Sequence, residues 1–74
     1  MNVIVYTSKT CAPCNSVYKY LDSKGVEYST RDIEHHMWAD QVLKLVGRLT
    51  TPVTVINGVP VIGLNYGRIA ELLK

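Results

Sequence analysis

The sequence lacks several features that would assign a class of protein at once. Only two of its 74 residues are cysteine, too few for the multi-bridge framework of a small secreted domain. No apolar run approaches the about 18 residues of a membrane-spanning helix. Lysine and arginine form no run and the net charge is only +2, so we expect neither a nucleic-acid nor a membrane partner.

Signals for export or for several domains are missing as well. The opening stretch MNVIVYTSK has neither a basic n-region nor a small-residue cleavage site, so we do not expect a signal peptide. There is no linker, repeat or low-complexity segment. With 47% hydrophobic and 19% charged residues, the composition is typical of a globular protein. We therefore expect a single domain over residues 1–74, monomeric and located in the reducing cytoplasm.

Hydrophobic periodicity predicts helices and strands in the order β-α-β-α-β-β-α. Asn57 and Gly58, between two β-branched runs, predict a hairpin with a type I′ turn. Pro60 cannot donate a hydrogen bond, so its strand is expected at a sheet edge. A right-handed crossover makes the first two strands parallel, which predicts an α/β fold with a four-stranded mixed sheet and helices on both faces. Strands are predicted at residues 3–6, 26–31, 53–56 and 59–62, and helices from about 12 to 24, from 32 or 34 to 46, and at 66–73.

The second predicted helix has an apolar stripe. Trp38, Val42, Leu45 and Leu49 fall on one face at helical spacing, and Gly47 marks the end of the helix. We expect this stripe to face the sheet.

Both cysteines lie in the stretch TCAPC, between the first strand and the first helix. Cys11 is expected at a helix N-terminus, where unpaired N–H groups, the helix dipole and the positive charge of nearby Lys9 favour a thiolate. Such positions lower a cysteine pKa from about 8.5 to between about 3.5 and 7.5. Cys11 is therefore the predicted nucleophile. Cys14, in the first helical turn, is the predicted and more buried resolving thiol, and Pro13 stiffens the loop between them.

Two other interpretations of the cysteine pair remain open at this point. A metal site would need two more ligands, and His35 and His36 are adjacent residues whose side chains point apart. Cysteine is also often a small buried hydrophobic residue with no chemistry. A C-x-x-C motif that opens the first helix of a βαβ unit favours a redox pair over both.

A second motif, GRLTTPV at residues 47–53, makes Pro52 a candidate for a cis peptide bond at the start of the third strand. The chain resembles the glutaredoxins over essentially its whole length. Three stretches carry the resemblance, namely YTSKTCAPC, GRLTTPV and NGVPVIGLN. The resemblance implies a thioredoxin fold with Pro52 in cis opposite Cys11. It also implies that the backbone of Thr51 pairs with the substrate like a short antiparallel strand.

The resemblance also implies which residues contact the substrate, and at some of them the chain differs from the usual motif. Glutaredoxins commonly have Cys-Pro-Tyr-Cys, whereas Pro13 is third in this motif, as in thioredoxins. Ser8 stands where a basic residue is frequent. Leu64 and Asn65 stand where the family has a second glycine and a nearby acidic residue of the glutathione groove. The implied substrate-binding set is Lys9, Ala12, Pro13, Arg48, Thr51, Pro52, Gly63, Leu64 and Asn65.

The implied function is thiol–disulfide exchange through a Cys11/Cys14 dithiol. The substrate would be a protein disulfide or a glutathione mixed disulfide, with glutathione as a possible co-substrate and no bound cofactor or metal. The electron source would be glutathione or thioredoxin reductase. The alternative is a glutaredoxin-like electron donor that depends on thioredoxin reductase and passes electrons on, for example to ribonucleotide reductase. A module that binds an iron–sulfur cluster or a metal through the cysteines is a third hypothesis.

Overall fold

The computed structural model describes residues 2–74 and contains seven helices and strands. The order β-α-β-α-β-β-α is confirmed, and so is the α/β class. The elements are β1 (Val3–Thr7), α1 (Ala12–Ser23), β2 (Ser29–Asp32), α2 (His36–Val46), β3 (Val53–Ile56), β4 (Val59–Ile62) and α3 (Tyr66–Leu73). Within this described part of the chain, no helix has the length and apolar character needed to cross a membrane.

The four strands form one mixed sheet in the order β2-β1-β3-β4. β1 is parallel to β2 and antiparallel to β3, and β3 is antiparallel to β4. Pro60 therefore lies on an edge strand, as predicted. Asn57 and Gly58 have φ angles of 50° and 87°, the left-handed values that a type I′ turn requires at both central positions.

The helices cover both faces of the sheet, because alternate residues of each strand point to opposite sides. On one face, Val5 and Ile56 pack with Val17 and Leu21 of α1 and with Ile69 of α3. On the other face, Tyr6, Val53 and Val55 pack with Val42 of α2. The predicted two-sided arrangement is confirmed, and the cysteine loop lies where β1 leads into α1.

The predicted starts of β2 and α2 are each a few residues early. β2 begins at Ser29 rather than at residue 26, and α2 begins at His36 rather than at 32 or 34. Asp32 is the last residue of β2, and its carboxylate accepts a hydrogen bond from the backbone N–H of Glu34 at 2.9 Å. Its backbone carbonyl accepts the N–H of His35 at 3.0 Å. These bonds form a turn that delays the helix.

The predicted apolar stripe of α2 is confirmed for Trp38 and Val42 and is wrong for Leu45 and Leu49. Val42 is buried, and Trp38 and Val46 pack beside it at four-residue spacing. Leu45 lies off this line and is 37% exposed. Leu49 is exposed because Gly47, in a left-handed conformation, ends the helix before it.

A polar network joins three elements on the α2 face of the sheet. The Tyr6 hydroxyl donates a hydrogen bond to Oε1 of Gln41 at 2.7 Å. Arg31 donates to the same oxygen at 2.7 Å and to the Tyr6 hydroxyl at 3.2 Å. Its guanidinium also lies 5.8 Å from the centroid of the Tyr6 ring. The network therefore ties β1, β2 and α2 together immediately before the cysteine loop.

Tyr6→Phe is expected to lower the free energy of unfolding by about 1 kcal/mol, the usual net contribution of an internal hydrogen bond. The ring keeps its packing, and the Arg31–Gln41 bond remains, which limits the loss. Urea unfolding measures the effect. Tyr66→Phe is the matched control, because the Tyr66 ring stacks on Tyr20 and its hydroxyl is not part of such a network. An equal loss in both variants would argue against the network.

Candidate active site

The two cysteines are held at the start of α1. Cys11 is the N-cap residue, partly exposed and with extended backbone, and its Sγ accepts the backbone N–H of Cys14 at 3.2 Å. Cys14 is 1% exposed. The two residues form a disulfide with their Cα atoms 5.4 Å apart. The predicted asymmetry, an accessible first sulfur and a buried second one, is therefore present, and the helix start directs an N–H at the accessible sulfur.

The loop that leads into the helix is short and internally bonded. The N–H of Cys11 donates to the carbonyl of Ser8 at 3.3 Å, which closes a turn around Lys9 and Thr10. Ala12 and Pro13 occupy the first two positions of α1, where a proline loses no intrahelical hydrogen bond. Both side chains are exposed, so they lie beside the disulfide at the surface.

The proline loop adjoins the cysteine loop. The Thr51–Pro52 peptide bond is cis, which confirms the prediction for Pro52. The hydroxyls of Ser8 and Thr51 lie 3.3 Å apart and share a hydrogen bond. The carbonyl of Pro52 accepts the N–H of Gly63 at 2.9 Å. The structure therefore brings three chain segments together, the residues before Cys11, the proline loop and the turn after β4.

The turn after β4 holds three of the residues that the resemblance assigns to substrate binding. Gly63 has a φ of 73°, a backbone conformation that residues other than glycine rarely adopt. Leu64 is 46% exposed beside it. Asn65 is the N-cap of α3, and its Oδ1 accepts the N–H of Arg68 at 3.2 Å. The Asn65 side chain thus has a structural partner, while Leu64 presents an apolar surface.

The two cationic candidates have different surroundings. The Lys9 ammonium lies 3.2 Å from a carboxylate oxygen of Glu34, and the two side chains are 74% and 54% exposed. Arg48 is exposed on the loop that follows α2. Glu34 was not predicted from the sequence, because its contact with Lys9 depends on the turn at Asp32 between β2 and α2.

Histidine and other possible metal ligands do not gather around the cysteines. The expectation that the adjacent side chains of His35 and His36 point apart is wrong, because their rings stack with centroids 5.6 Å apart, and His35 also contacts the ring of Trp38. Within residues 2–74, no group of three or more cysteine, histidine, aspartate or glutamate side chains has the arrangement of a metal site.

Comparison with known proteins adds independent evidence. Residues 3–61 match the family model described as Glutaredoxin. The Gene 56 protein of Mycobacterium phage D29 is 33% identical over 76 residues, covering 96% of this chain and 81% of that protein. The structure of the thioredoxin-like protein BC3987 has a TM-score of 0.87 and 28% identity, covering 96% of this chain and 99% of the other. The glutaredoxin from Archaeoglobus fulgidus has a TM-score of 0.88 and 25% identity, covering 99% and 86%.

Proposed function

Because this chain belongs to the glutaredoxin family, with the thioredoxin fold and the paired cysteines of a thiol redox protein, we propose that it reduces disulfides through a Cys11/Cys14 dithiol. The substrates are disulfide-containing proteins or glutathione mixed disulfides. The observation that supports this best is the unequal exposure of two bonded sulfurs at one helix start.

Cys11 makes the first attack. Cys11 is partly exposed, and the helix N-terminus stabilises negative charge on its sulfur. The thiolate bonds to one sulfur of the substrate disulfide, and the other substrate sulfur leaves as a thiol after taking up a proton. The product is a mixed disulfide between Cys11 and the substrate.

Cys14 completes the reaction. It loses its proton, its sulfur bonds to the sulfur of Cys11, and the remaining substrate sulfur leaves as the second thiol. The protein is then in the disulfide state of this structure. A reductant must supply two electrons and two protons to restore the dithiol.

We infer that this reductant is a thioredoxin reductase rather than glutathione, because three features disfavour a glutathione groove. Leu64 projects from the position of a family glycine, and Asn65 is neutral and caps α3. Lys9, a candidate partner for a glutathione carboxylate, is paired with Glu34. A thioredoxin-like protein that aligns over 99% of its own length is also among the similar structures.

Two parallel assays test both proposals. NADPH consumption with a disulfide substrate is followed once with glutathione and glutathione reductase, and once with thioredoxin reductase. Turnover with thioredoxin reductase only is the expected result. Turnover with glutathione only would overturn the proposed reductant but would leave the proposed disulfide reduction in place. No turnover in either assay, with a protein that is folded and has two titratable thiols, would overturn the function itself.

The double substitution Leu64→Gly with Asn65→Asp should introduce or increase turnover with glutathione by at least about tenfold, equivalent to about 1.4 kcal/mol. The substitutions open space beside Gly63 and add a carboxylate for the α-amino group of glutathione. Aspartate is also a good N-cap, so α3 should persist. Initial rates with glutathione and glutathione reductase measure the gain.

The matched control for this variant is Leu64→Gly with Asn65→Ser. It opens the same space and keeps a capping side chain, but leaves the position neutral. An equal gain in both variants would assign the effect to Leu64 alone. No gain in either would show that these two positions do not exclude glutathione.

A further inference from the structure

Thr54 has a buried hydroxyl without a visible role. It lies in the middle of β3, is fully buried, and its Oγ1 has no hydrogen-bond partner within the described residues 2–74. An unpaired buried hydroxyl destabilises a fold, and valine would fill the same volume without that cost. Buried polar groups in proteins nearly always have a partner, so an exception calls for a physical explanation.

The side chain of Thr54 points to the face of the sheet that α1 covers. Residues directly opposite each other in an antiparallel pair share a face, and Thr54 is opposite Val5 on one side and Val61 on the other. Both valines belong to the core cluster that contains Val17 and Leu21 of α1. Thr54 therefore lies in the layer between the sheet and α1.

Cys14 lies at the same end of that layer. It is on the buried stripe of α1 with Val17 and Leu21, at the N-terminal end of the helix. The chain enters α1 from the C-terminal end of β1, and β3 runs antiparallel to β1, so β3 begins at that same end. Thr54 is the second residue of β3 and two residues after Pro52. The fold thus places the unpaired hydroxyl on the side of the core where the buried sulfur lies.

The Thr54 hydroxyl and the Cys14 sulfur differ in their hydrogen bonding between the disulfide and the dithiol states. In the disulfide, Cys14 Sγ is bonded to Cys11 Sγ and is a weak hydrogen-bond acceptor. Reduction leaves a thiol that both donates and accepts weak hydrogen bonds, on a side chain that water hardly reaches. When Cys14 loses its proton to resolve the mixed disulfide, the buried thiolate requires a hydrogen-bond donor. Thr54 has the hydroxyl that lacks a partner in the disulfide state.

We propose that Thr54 is the buried hydrogen-bond partner of Cys14 in the dithiol state, and that it thereby sets the redox balance of the pair. The inference rests on the proposed function, in which the protein alternates between disulfide and dithiol. Reduction breaks the bond between the two cysteine sulfurs and consumes two electrons and two protons. The reductant, a dithiol of a reductase or two glutathione thiols, is oxidised to a disulfide. Thr54 takes no part in the electron balance and acts through Cys14 as a positioning residue.

The direction of the effect follows from which state contains the hydrogen bond. A bond present only in the dithiol favours reduction and raises the reduction potential of the pair. Thr54→Val removes that bond from the reduced form and the unpaired hydroxyl from the oxidised form. Both changes favour the disulfide. We expect the equilibrium with a glutathione redox buffer to move about tenfold toward the disulfide, which is about 30 mV more negative for a two-electron couple.

The experiment compares wild type with Thr54→Val and Thr54→Ser. The fraction of disulfide is measured by thiol trapping across a series of glutathione redox buffers, and urea unfolding is measured in both redox states. Thr54→Val should shift the redox equilibrium and leave the oxidised form at least as stable as wild type. Thr54→Ser keeps the hydroxyl and loses a methyl group, so its redox equilibrium should stay close to wild type while both redox states lose stability.

A second measurement does not depend on the folding of any variant. In wild-type protein, NMR should detect a slowly exchanging Thr54 hydroxyl proton in the dithiol state and not in the disulfide state. An unchanged redox equilibrium in Thr54→Val, or a hydroxyl proton that behaves alike in both states, would overturn the inference. Wild type would still cycle between redox states in that case, so the proposed function would remain. A wild-type pair that cannot be reduced reversibly would overturn the function.

Discussion

Replacing Cys11 with serine should abolish disulfide reduction, lowering turnover by at least about a thousandfold, the scale on which removal of a covalent nucleophile acts. A serine hydroxyl is not ionised at neutral pH, so the first bond to substrate sulfur cannot form. The N-cap position itself tolerates serine, which is among the preferred capping residues, so α1 should remain intact. NADPH-coupled turnover with the reductase that serves wild type measures the loss, and circular dichroism checks the fold.

Cys14→Ser is the matched control, since it removes a sulfur three residues away and leaves the attacking one. This variant should form a mixed disulfide with a protein substrate and accumulate it, which mass spectrometry detects as a covalent adduct. It should also retain single-thiol activity on glutathione mixed disulfides, if glutathione binds. Wild-type turnover in Cys11→Ser would assign the attack to another group and overturn the mechanism.

Leu21→Ala should have the largest effect on stability. Leu21 is fully buried between α1 and the sheet, and it is among the largest such side chains. Truncating a buried leucine to alanine costs about 3–5 kcal/mol. A protein of this length buries a modest core, so such a loss is a large share of its total stability. Each kcal/mol should lower Tm by about 4–8 °C, measured by thermal unfolding of the oxidised protein.

Leu43→Ala on α2 removes the same atoms from a side chain that is 45% exposed. Its cost should be well below that of Leu21→Ala, because little apolar area returns to water and no cavity forms. Similar losses in the two variants would mean that α1 does not pack against the sheet as described.

Local chemistry made part of this structure predictable. The Asn57–Gly58 turn, the edge position of Pro60 and the bounds of α3 follow from backbone preferences and short-range periodicity, and all were predicted. Cys11 at a helix start followed from the strand–loop–helix pattern around TCAPC. Each of these features depends on residues close together in the chain.

Features that depend on distant segments were not predictable in the same way. Leu45 was predicted to lie on the buried stripe, but it is 37% exposed, and the partly buried Val46 packs against the core cluster instead. The Lys9–Glu34 ion pair requires two loops to meet. The sequence does contain one signal that could have drawn attention to Thr54, because it is a polar residue inside an otherwise apolar strand. Its unpaired hydroxyl, however, depends on what lies opposite it across the sheet.

The central pairing of β1 with β3 has a consequence during synthesis of the chain. Val3 is opposite Ile56, and Tyr6 is opposite Val53, so strands from distant parts of the sequence form the middle of the sheet. Non-local pairings of this kind form late in folding. Both cysteines precede β3 in the chain, so they are synthesised before the strand that completes the layer beneath Cys14. Until β3 emerges, the nascent chain presents an unshielded pair of thiols to any oxidant in its surroundings.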